Sequence, residues 1–453
     1  MVATASGQGS GTYAGGRPGR RRPEEAPVLC VSRSLPKAFR MFNTDRLGWA
    51  ERAASAGPLV GLQFGPIIGA YILTDAEVAR AVLMSERWSW RRSPSTMTPV
   101  RMAIGDFLFT QEERVWSLVQ PFLSPDLRKR ALEPRLAELG ELIEDHVTAL
   151  PVGRTLDLDQ AMGRLALSVA AWVLFGQHLE RSRADELYGH QRAIVDWVGR
   201  RAGALRASVP YASGRAARTM RGHRQAVHAY VDEIVERRRR EGSARHDLLD
   251  ALLAARPGGR ALSQSELRSH VAGMFGAGNE TTAAALGWAI VHGAANPAEW
   301  AALRAGAGDH AAHYAAETLR LHPPAWSMNR SAVSAGQTLS AGGCRARFRR
   351  RYVLSINVWG LNRDAGTWPE PEAFSPSRHA KLTRAQERAF MPFGLGARGC
   401  IGQHLAVTEM LAALPLLARH GDVSVEGEAR PDPTFTLRAR DGLRGCFSPP
   451  ARR

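Results

Sequence analysis

Cysteine is scarce in this chain of 453 residues. The four cysteines, Cys30, Cys344, Cys400 and Cys446, stand far apart and form no CxxC pair. Such spacing argues against a zinc site and against a disulfide framework. In a cytoplasmic protein each cysteine should therefore be a free thiol or a ligand.

Long hydrophobic runs are also missing. The longest nearly continuous apolar stretch, residues 165–175, is shorter than the about 20 residues that a membrane-spanning helix needs. The Gly-rich N-terminus contains an arginine cluster at residues 20–22 with no apolar segment after it, so it predicts neither a secretory signal nor a membrane anchor. We predict a cytoplasmic protein with a disordered tail over residues 1–28 and a single domain over residues 29–453.

Lysine occurs only at Lys37, Lys129 and Lys381, yet the net charge is +17 because arginine is abundant. A bias toward arginine and alanine follows in part from a GC-rich genome. A basic excess can also indicate nucleic acid, an anionic surface or an acidic protein partner. The chain has no nucleic-acid-binding motif, so we predict no nucleic-acid partner.

The patterning predicts a mainly α-helical fold with small β-sheets, of the α+β class. Residues 127–320 are rich in Ala, Leu, Arg and Glu at helical spacing, and residues 263–294 predict one long helix with glycines in its middle. Residues 58–74 predict a β-hairpin around a Gly-Pro turn. A final helix should start near Cys400 and stop by Pro415.

Residues 393–402 read FGLGARGCIG and form the most specific segment of the chain. They include a GxGxxG pattern at Gly394, Gly396 and Gly399, which in a dinucleotide site must follow a buried strand. Pro392 and its neighbours do not resemble a strand, so we interpret the nucleotide match as coincidental. An inert buried cysteine beside a Gly-rich turn is the simplest alternative.

A haem-thiolate site fits the same segment better. Cys400 precedes a helix, whose unpaired N–H groups should lower the pKa of the thiol and favour the thiolate. A thiolate can ligate haem iron and promote O–O cleavage. Glycines such as Gly394 let the backbone turn tightly beneath a flat macrocycle, Phe393 can shield the sulfur, and Arg398 can pair with a haem propionate.

At this point the sequence resembles the cytochrome P450 family, and specifically its soluble bacterial type. The family signature Phe-x-x-Gly-x-Arg-x-Cys-x-Gly is matched in full by residues 393–402. The resemblance implies a haem b held between the long central helix and the helix after the cysteine, with Cys400 as the iron ligand. It further implies a monooxygenase that uses dioxygen.

A second family motif lies in the long helix at residues 277–282, AGNETT. A threonine hydroxyl that gives up its usual bond to the helix backbone can widen a groove beside Gly278. By the resemblance, Thr281 would hydrogen-bond the reacting dioxygen and Glu280 would relay protons to it. Taken alone, the pair could equally be two backbone-bonded threonines in an ordinary helix.

A third motif, ETLR followed by LHPP, contains Glu317 and Arg320 on one helix face. In the family this pair is buried and joins an arginine in the Pro-rich segment, here Arg378, to hold the thiolate loop. Arg330 resembles a position that contacts a haem propionate, although it could be a surface arginine. The sequence departs from the family where a second propionate contact is usual, since Glu112 and Trp116 stand at the two family positions and Arg114 lies between them.

The resemblance also implies a small-molecule substrate and separate redox partners. Met274, Ala277, Trp326 and Met328 should border the substrate pocket, and their apolar character favours an apolar substrate such as a secondary metabolite. Segments 88–107 and 188–217 should cover that pocket. Electrons from NAD(P)H should arrive through a ferredoxin reductase and a ferredoxin, with the enzyme acting as a monomer.

Three alternatives stay open at this stage. The same chemistry could couple or desaturate a substrate rather than hydroxylate it. A non-catalytic haem-binding protein is possible, although it would not need the Glu280–Thr281 pair. A nucleotide-dependent dehydrogenase depends only on the GxGxxG pattern.

Overall fold

The structure is a computed structural model, and it describes residues 24–84, 89–202, 215–242, 245–349 and 352–450. Most of these residues are helical, and the strands form small sheets, which confirms the predicted fold class. Of the segments predicted to cover the pocket, residues 88 and 203–214 lie outside the described residues. The predicted tail lies outside them up to residue 23.

The described helices range from single turns to the 32-residue α12. Their bounds are α1 (Leu35–Thr44), α2 (Arg46–Ala56), α3 (Ala76–Met84), α4 (Pro94–Ala103), α5 (Glu113–Leu123), α6 (Lys129–Leu132), α7 (Leu136–Thr148), α8 (Leu158–Phe175), α9 (Arg181–Arg201), α10 (Arg215–Glu241), α11 (Leu248–Ala254), α12 (Gln264–Ala295), α13 (Pro297–Ala305), α14 (His310–Leu321), α15 (Val358–Leu361), α16 (Arg384–Ala389) and α17 (Gln403–His420). Short 3₁₀ turns occur at Pro125–Leu127, Glu133–Arg135, Pro257–Gly259, Pro376–Ala380 and Gly396–Arg398.

The strands lie mainly toward the two ends of the chain. They are β1 (Glu24–Glu25), β2 (Val28–Ser32), β3 (Leu59–Phe64), β4 (Ile67–Leu73), β5 (Trp90–Arg92), β6 (Leu156–Asp157), β7 (Met328–Ala332), β8 (Thr338–Ala341), β9 (Cys344–Arg347), β10 (Val353–Ile356), β11 (Asp422–Val425), β12 (Pro431–Pro433), β13 (Leu437–Ala439) and β14 (Arg444–Ser448). The largest sheet has the order β2-β3-β4-β10-β7-β5. The predicted hairpin is its antiparallel β3–β4 pair.

The N-terminal boundary differs from the prediction. Glu24 and Glu25 pair with Cys344 and Arg345, and β2 already begins at Val28. Ordered structure therefore starts before residue 28, because backbone pairing with a distant strand stabilises a segment whose own composition is polar.

Helices α8 and α12 pack together at the centre of the main hydrophobic core. Among the described residues, α8 has the length and composition of a membrane span, but most of it is buried inside the protein. Helix α12 begins with a capping box in which Ser263 and Glu266 satisfy each other's backbone N–H groups. Its glycines admit large side chains: a Cβ on Gly293 would lie 2.3 Å from the ring of Trp300.

Helix α17 extends beyond its predicted end. It continues through Pro415 to His420, although proline removes one backbone hydrogen bond. Leu414, Leu417 and Ala418 are fully buried on either side of the proline. Their burial outweighs the local cost, which a reading of propensity alone does not capture.

Candidate active site

The loop that carries Cys400 turns sharply before α17. Gly394 and Gly396 have φ of +68° and +70°, a region that other residues rarely adopt. A Cβ on Gly396 would lie 2.6 Å from the carbonyl oxygen of Leu83, so only glycine fits against α3. The Cys400 N–H donates to the carbonyl oxygen of Phe393 at 2.8 Å and closes the loop. In the described segment 384–399 no strand precedes this loop. A dinucleotide site needs such a strand, so the GxGxxG match is coincidental.

The Cys400 thiol is accessible, yet protein surrounds it closely. Burial raises its pKa, while a hydrogen bond from the Gly402 N–H and the charge of Arg92 act in the opposite direction. The expectation of a lowered pKa was therefore wrong for the protein alone. The helix end does stabilise the thiolate, but removing the sulfur from bulk water costs more.

Helix α12 exposes two residues in its otherwise buried middle. Ala277 and Thr281 lie one turn apart and are exposed, while Asn279, Glu280 and Thr282 are buried. Helix α12 also packs against α17, the helix that follows Cys400.

Three arginines converge beside the thiol. Strand pairing puts Arg92 directly opposite Arg330, and the Arg92 Nη2 donates to the Arg398 carbonyl oxygen at 3.3 Å. Burial and then the charge of Arg398 lower the pKa of Arg92 to about 9 and that of Arg330 to about 10. Like charges opposite each other on paired strands destabilise a sheet.

An anion between these arginines would relieve their repulsion. The buried Arg92 Nε makes no hydrogen bond within the described residues, so this group has a donor to offer. A haem carries two propionates, which these arginines could hold, and Cys400 could supply a thiolate ligand to its iron. The arginine cluster, the thiol and the exposed stretch of α12 therefore fit a haem.

Arg92 is the residue that the sequence did not reveal. Arg114 is exposed at the surface, while Trp116 packs beneath the Arg398 guanidinium at 4.4 Å, and Arg398 donates to the Gln111 carbonyl oxygen at 3.0 Å. Helix α5 thus orients Arg398, and strand β5 adds Arg92 to the same cluster. Only the register of β5 against β7 places Arg92 there, so no local signal could have identified it.

The Glu317 side chain lies at the centre of a buried ionic cluster. Both of its oxygens accept from Arg320 at 2.8 Å, and one also accepts from Arg378 Nε at 2.9 Å. The Ser375 N–H and His379 Nε2 each lie 2.9 Å from it as well. Burial alone raises the pKa of Glu317, but these hydrogen bonds outweigh it and lower the pKa to about 2.

Arg320 extends the same cluster into the Pro-rich segment. Its guanidinium donates to the carbonyl oxygens of Asn362, Pro371 and Ala373 at 2.7, 2.7 and 3.1 Å. The cluster therefore fixes the chain between α15 and the Cys400 loop.

Glu280 and Thr281 point to different surroundings. Glu280 is buried next to Arg438, with 3.2 Å between Oε1 and Nη1, and burial raises its pKa while Arg438 and Arg192 oppose the shift. The Thr281 hydroxyl donates to the Ala277 carbonyl oxygen at 3.1 Å. The expected loss of this backbone bond does not occur, because α12 stays regular here and its carbonyl remains the nearest acceptor.

The family of the chain follows from comparison with known proteins. The family model described as Cytochrome P450 matches residues 48–306 and 314–442. The chain belongs to the cytochrome P450 family. It is 31% identical over 361 residues to cytochrome P450 137 of Mycobacterium tuberculosis, covering 76% of this chain and 73% of that protein.

Two further likenesses bear on substrate class and fold. Cyclooctatin synthase of Streptomyces melanosporofaciens is 29% identical over 418 residues, covering 84% of this chain and 87% of that enzyme. A crystal structure of a P450 from Thermus thermophilus superposes with a TM-score of 0.75 at 20% identity, covering 93% of this chain and all of that one. The chain is thus a cytochrome P450 monooxygenase with the P450 fold.

The four predicted pocket residues of this P450 occupy different environments. Ala277 is exposed on α12, whereas Met274 is buried in the main core. Met328 lies against the Cys400 loop, with its Sδ 3.5 Å from where a Cβ on Gly394 would stand. Trp326 packs with Leu47, Trp359 and Leu437. Of the two α12 residues, Ala277 is therefore accessible and Met274 is not.

The Glu317→Gln substitution should destabilise the P450 by about 3–5 kcal/mol, because it leaves buried guanidinium groups without their charge partner. The folded pKa of Glu317, about 2, lies below the ordinary value of 4.5. Its contribution is therefore complete above about pH 4.5 and is lost as the pH falls toward 2. Denaturant unfolding across a pH series measures both effects.

Glu372→Gln is the matched control for this variant. Glu372 pairs with Arg363 at 3.1 Å but is largely exposed, so its removal should cost less than about 1 kcal/mol. Equal losses of stability in the two variants would show that the Glu317 cluster contributes no more to stability than an exposed ion pair.

Proposed function

We propose that this P450 hydroxylates a largely apolar small molecule, with a secondary metabolite as its natural substrate. The observation that carries the proposal is the accessible Cys400 thiol beside the Arg92, Arg330 and Arg398 cluster, in a protein whose helix α12 exposes Ala277 and Thr281. The likeness to cyclooctatin synthase supports the substrate class, since that name denotes biosynthesis in a Streptomyces.

Haem b is the proposed cofactor; Cys400 would hold its iron, and when bound it would supply the reductive activation of dioxygen. Phe393 packs against the main core from the Cys400 loop and would shield the sulfur. Gly394, with its positive φ, would let the backbone turn tightly beside the haem. Arg398 and Arg330 would hold the propionates, and we add Arg92 to this set because of its position opposite Arg330.

Glu280 and Thr281 are the proposed proton-handling residues. The exposed Thr281 hydroxyl can hold a proton where dioxygen reacts, and Glu280 lies directly before it in α12. The raised pKa of Glu280 brings that carboxyl closer to neutral pH, where it can both accept and release a proton.

Electrons should reach the haem from NAD(P)H through a ferredoxin reductase and a ferredoxin. The outer face of helix α5, which contacts the Cys400 loop, has features that suit such a partner. Helix α5 contacts Arg398 through Trp116, and its outer face exposes Val115, Leu118 and Phe122. Residues 128–130, which are Arg, Lys and Arg, are exposed shortly after it. An apolar patch with a basic border suits an acidic electron carrier.

The predicted cytoplasmic location and monomeric state belong to the same proposal. So do the structural roles of Glu317, Arg320 and Arg378 in holding the thiolate loop.

Cys400→Ser should abolish the strongly red-shifted Soret band that the reduced, carbon monoxide-treated holoprotein is expected to show. A serine oxygen cannot supply the thiolate that causes the shift. Cys446→Ser, which changes another partly exposed cysteine, should leave the band in place. Retention of the band in Cys400→Ser, or a wild-type protein that binds no haem on reconstitution, would overturn the cofactor assignment.

Thr281→Ala should lower product formation by about 100-fold while electrons are still consumed and peroxide is released. The remaining alanine cannot hold a proton beside the reacting oxygen. Thr282→Ala is the control, since Thr282 is buried and its hydroxyl lies 3.4 Å from the Gly278 carbonyl oxygen. Thr282→Ala should stay coupled to product; if Thr281→Ala does so as well, the proton-delivery role of Thr281 is wrong.

Turnover with a ferredoxin should fall as the ionic strength rises from about 0.01 to 0.5 M, because salt screens attraction to the basic border of α5. Reduction by dithionite, a small reagent, provides the control and should depend much less on salt. Ferredoxin-driven turnover that does not respond to salt would count against an electrostatically guided acidic partner.

A further inference from the structure

A small polar cavity lies behind α12, on the side of Glu280. It is bordered by α8, α9, α12 and β13, and its charged or phenolic lining residues are Asp159, Tyr188, Arg192, Glu280 and Arg438. Three buried atoms that make no hydrogen bond among the described residues belong to this lining: Glu280 Oε1, Arg438 Nη1 and Asp159 Oδ2. Buried polar atoms without partners are rare in native proteins and need an explanation.

The distances show that direct contacts do not satisfy these atoms. Arg438 Nη1 is 3.2 Å from Glu280 Oε1 but is not aligned for a hydrogen bond. Arg192 Nη1 is 3.6 Å from Asp159 Oδ2, which is too long, and it donates instead to the Tyr188 hydroxyl at 3.2 Å. A polar cavity with room for about one water and three such partners is a site that binds water.

The cavity connects an inner carboxyl to an outer one. The Glu280 side chain is 8% exposed, whereas the Asp159 side chain, in the first turn of α8, is 15% exposed and reaches the surface. Asp196 borders the same group from α9 through its ion pair with Arg438. Three carboxyls therefore face two guanidinium groups, Arg192 and Arg438, and the excess negative charge favours one additional proton in the cluster.

We propose that Asp159 and a water bound in this cavity form the entry through which protons from solvent reach Glu280. The proposal rests on the proton-handling role proposed above for Glu280 and extends it to a residue on a different helix. Asp159 is a positioning and relay residue, since it acts through Glu280.

Each step moves one proton and no electrons. The Asp159 carboxylate takes a proton from solvent, and its new O–H bond breaks as it protonates the cavity water. That water passes one of its own protons to Glu280 Oε1 and is left neutral. Arg438 holds Glu280 toward the cavity, and Arg192 lies between Asp159 and Tyr188.

The electrostatics suit a relay. Burial is the largest cause that raises the pKa of both carboxyls, with Arg192 and Arg438 opposing it. The Asp159 charge raises the pKa of Glu280 as well, and Asp196 acts in the same direction. Two carboxyls that are both shifted toward neutrality exchange protons with a smaller energy difference than an ordinary pair would.

The test follows the proton on Glu280 directly, without a substrate. Infrared spectra of the holoenzyme should contain a protonated-carboxyl band that is absent in Glu280→Gln, and its exchange in D₂O can be timed. In Asp159→Asn this exchange should slow by about tenfold or more, because the entry group no longer titrates. The titration midpoint of the band should also fall, since a neighbouring negative charge is removed.

Two further variants separate relay from structure. Asp185→Asn removes the 2.7 Å ion pair with Arg164 that also joins α8 and α9, but Asp185 does not line the cavity. It should exchange like the wild type. Ala284→Val narrows the cavity without changing charge and should slow exchange as Asp159→Asn does.

Exchange at the wild-type rate in Asp159→Asn would overturn the proposal, as would the lack of any Glu280-dependent band between about pH 5 and 9. The proposed function is tested separately. If Thr281→Ala releases peroxide while Asp159→Asn exchanges normally, only the relay is wrong. If Thr281→Ala stays coupled, the earlier proton-handling assignment fails, whatever the exchange rates are.

Discussion

The position of the Cys400 loop depends on the ionic contacts of the buried Glu317 carboxylate. It is completely buried and binds two arginines, a histidine and a backbone N–H from two separate segments of chain. A buried charge is tolerated only when every oxygen is paired. Any displacement of the Pro-rich segment would leave ions unpaired, so the segment before Cys400 has one stable position.

The fixed loop also allows unfavourable charges to be held close together near Cys400. Arg92 and Arg330 face each other on paired strands next to Arg398, and the thiol is surrounded closely enough to raise its pKa. Without an anion the arginines repel, and without a cationic partner the thiolate is disfavoured. A haem would satisfy both requirements at once, since its iron binds the thiolate and its propionates neutralise the arginines.

Helix α12 separates two environments with different chemistry. One side exposes Ala277 and Thr281, and the other buries Glu280 among ionised groups from α8, α9 and β13. Consecutive residues on a helix point about 100° apart, so Glu280 and Thr281 necessarily meet different surroundings. The helix therefore keeps a buried carboxyl and an exposed hydroxyl in neighbouring positions but in different surroundings.

Local patterns in the sequence were sufficient for several conclusions. The signature around Cys400, the ETLR motif and the acid–threonine pair identified the family, and helical spacing predicted the fold class. These features are encoded by neighbouring residues, because tight turns, caps and helix faces depend on short-range geometry.

Tertiary structure decided the rest, since it depends on which distant segments come together. Arg92 enters the site only through the register of β5 against β7. Burial reverses the expected pKa of Cys400, packing carries α17 past Pro415, and pairing with β9 orders Glu24 and Glu25. The cavity between Asp159 and Glu280 has no sequence signal either, since its walls come from three helices and a strand. Burial and charge are properties of the assembled surroundings, and no single segment contains them.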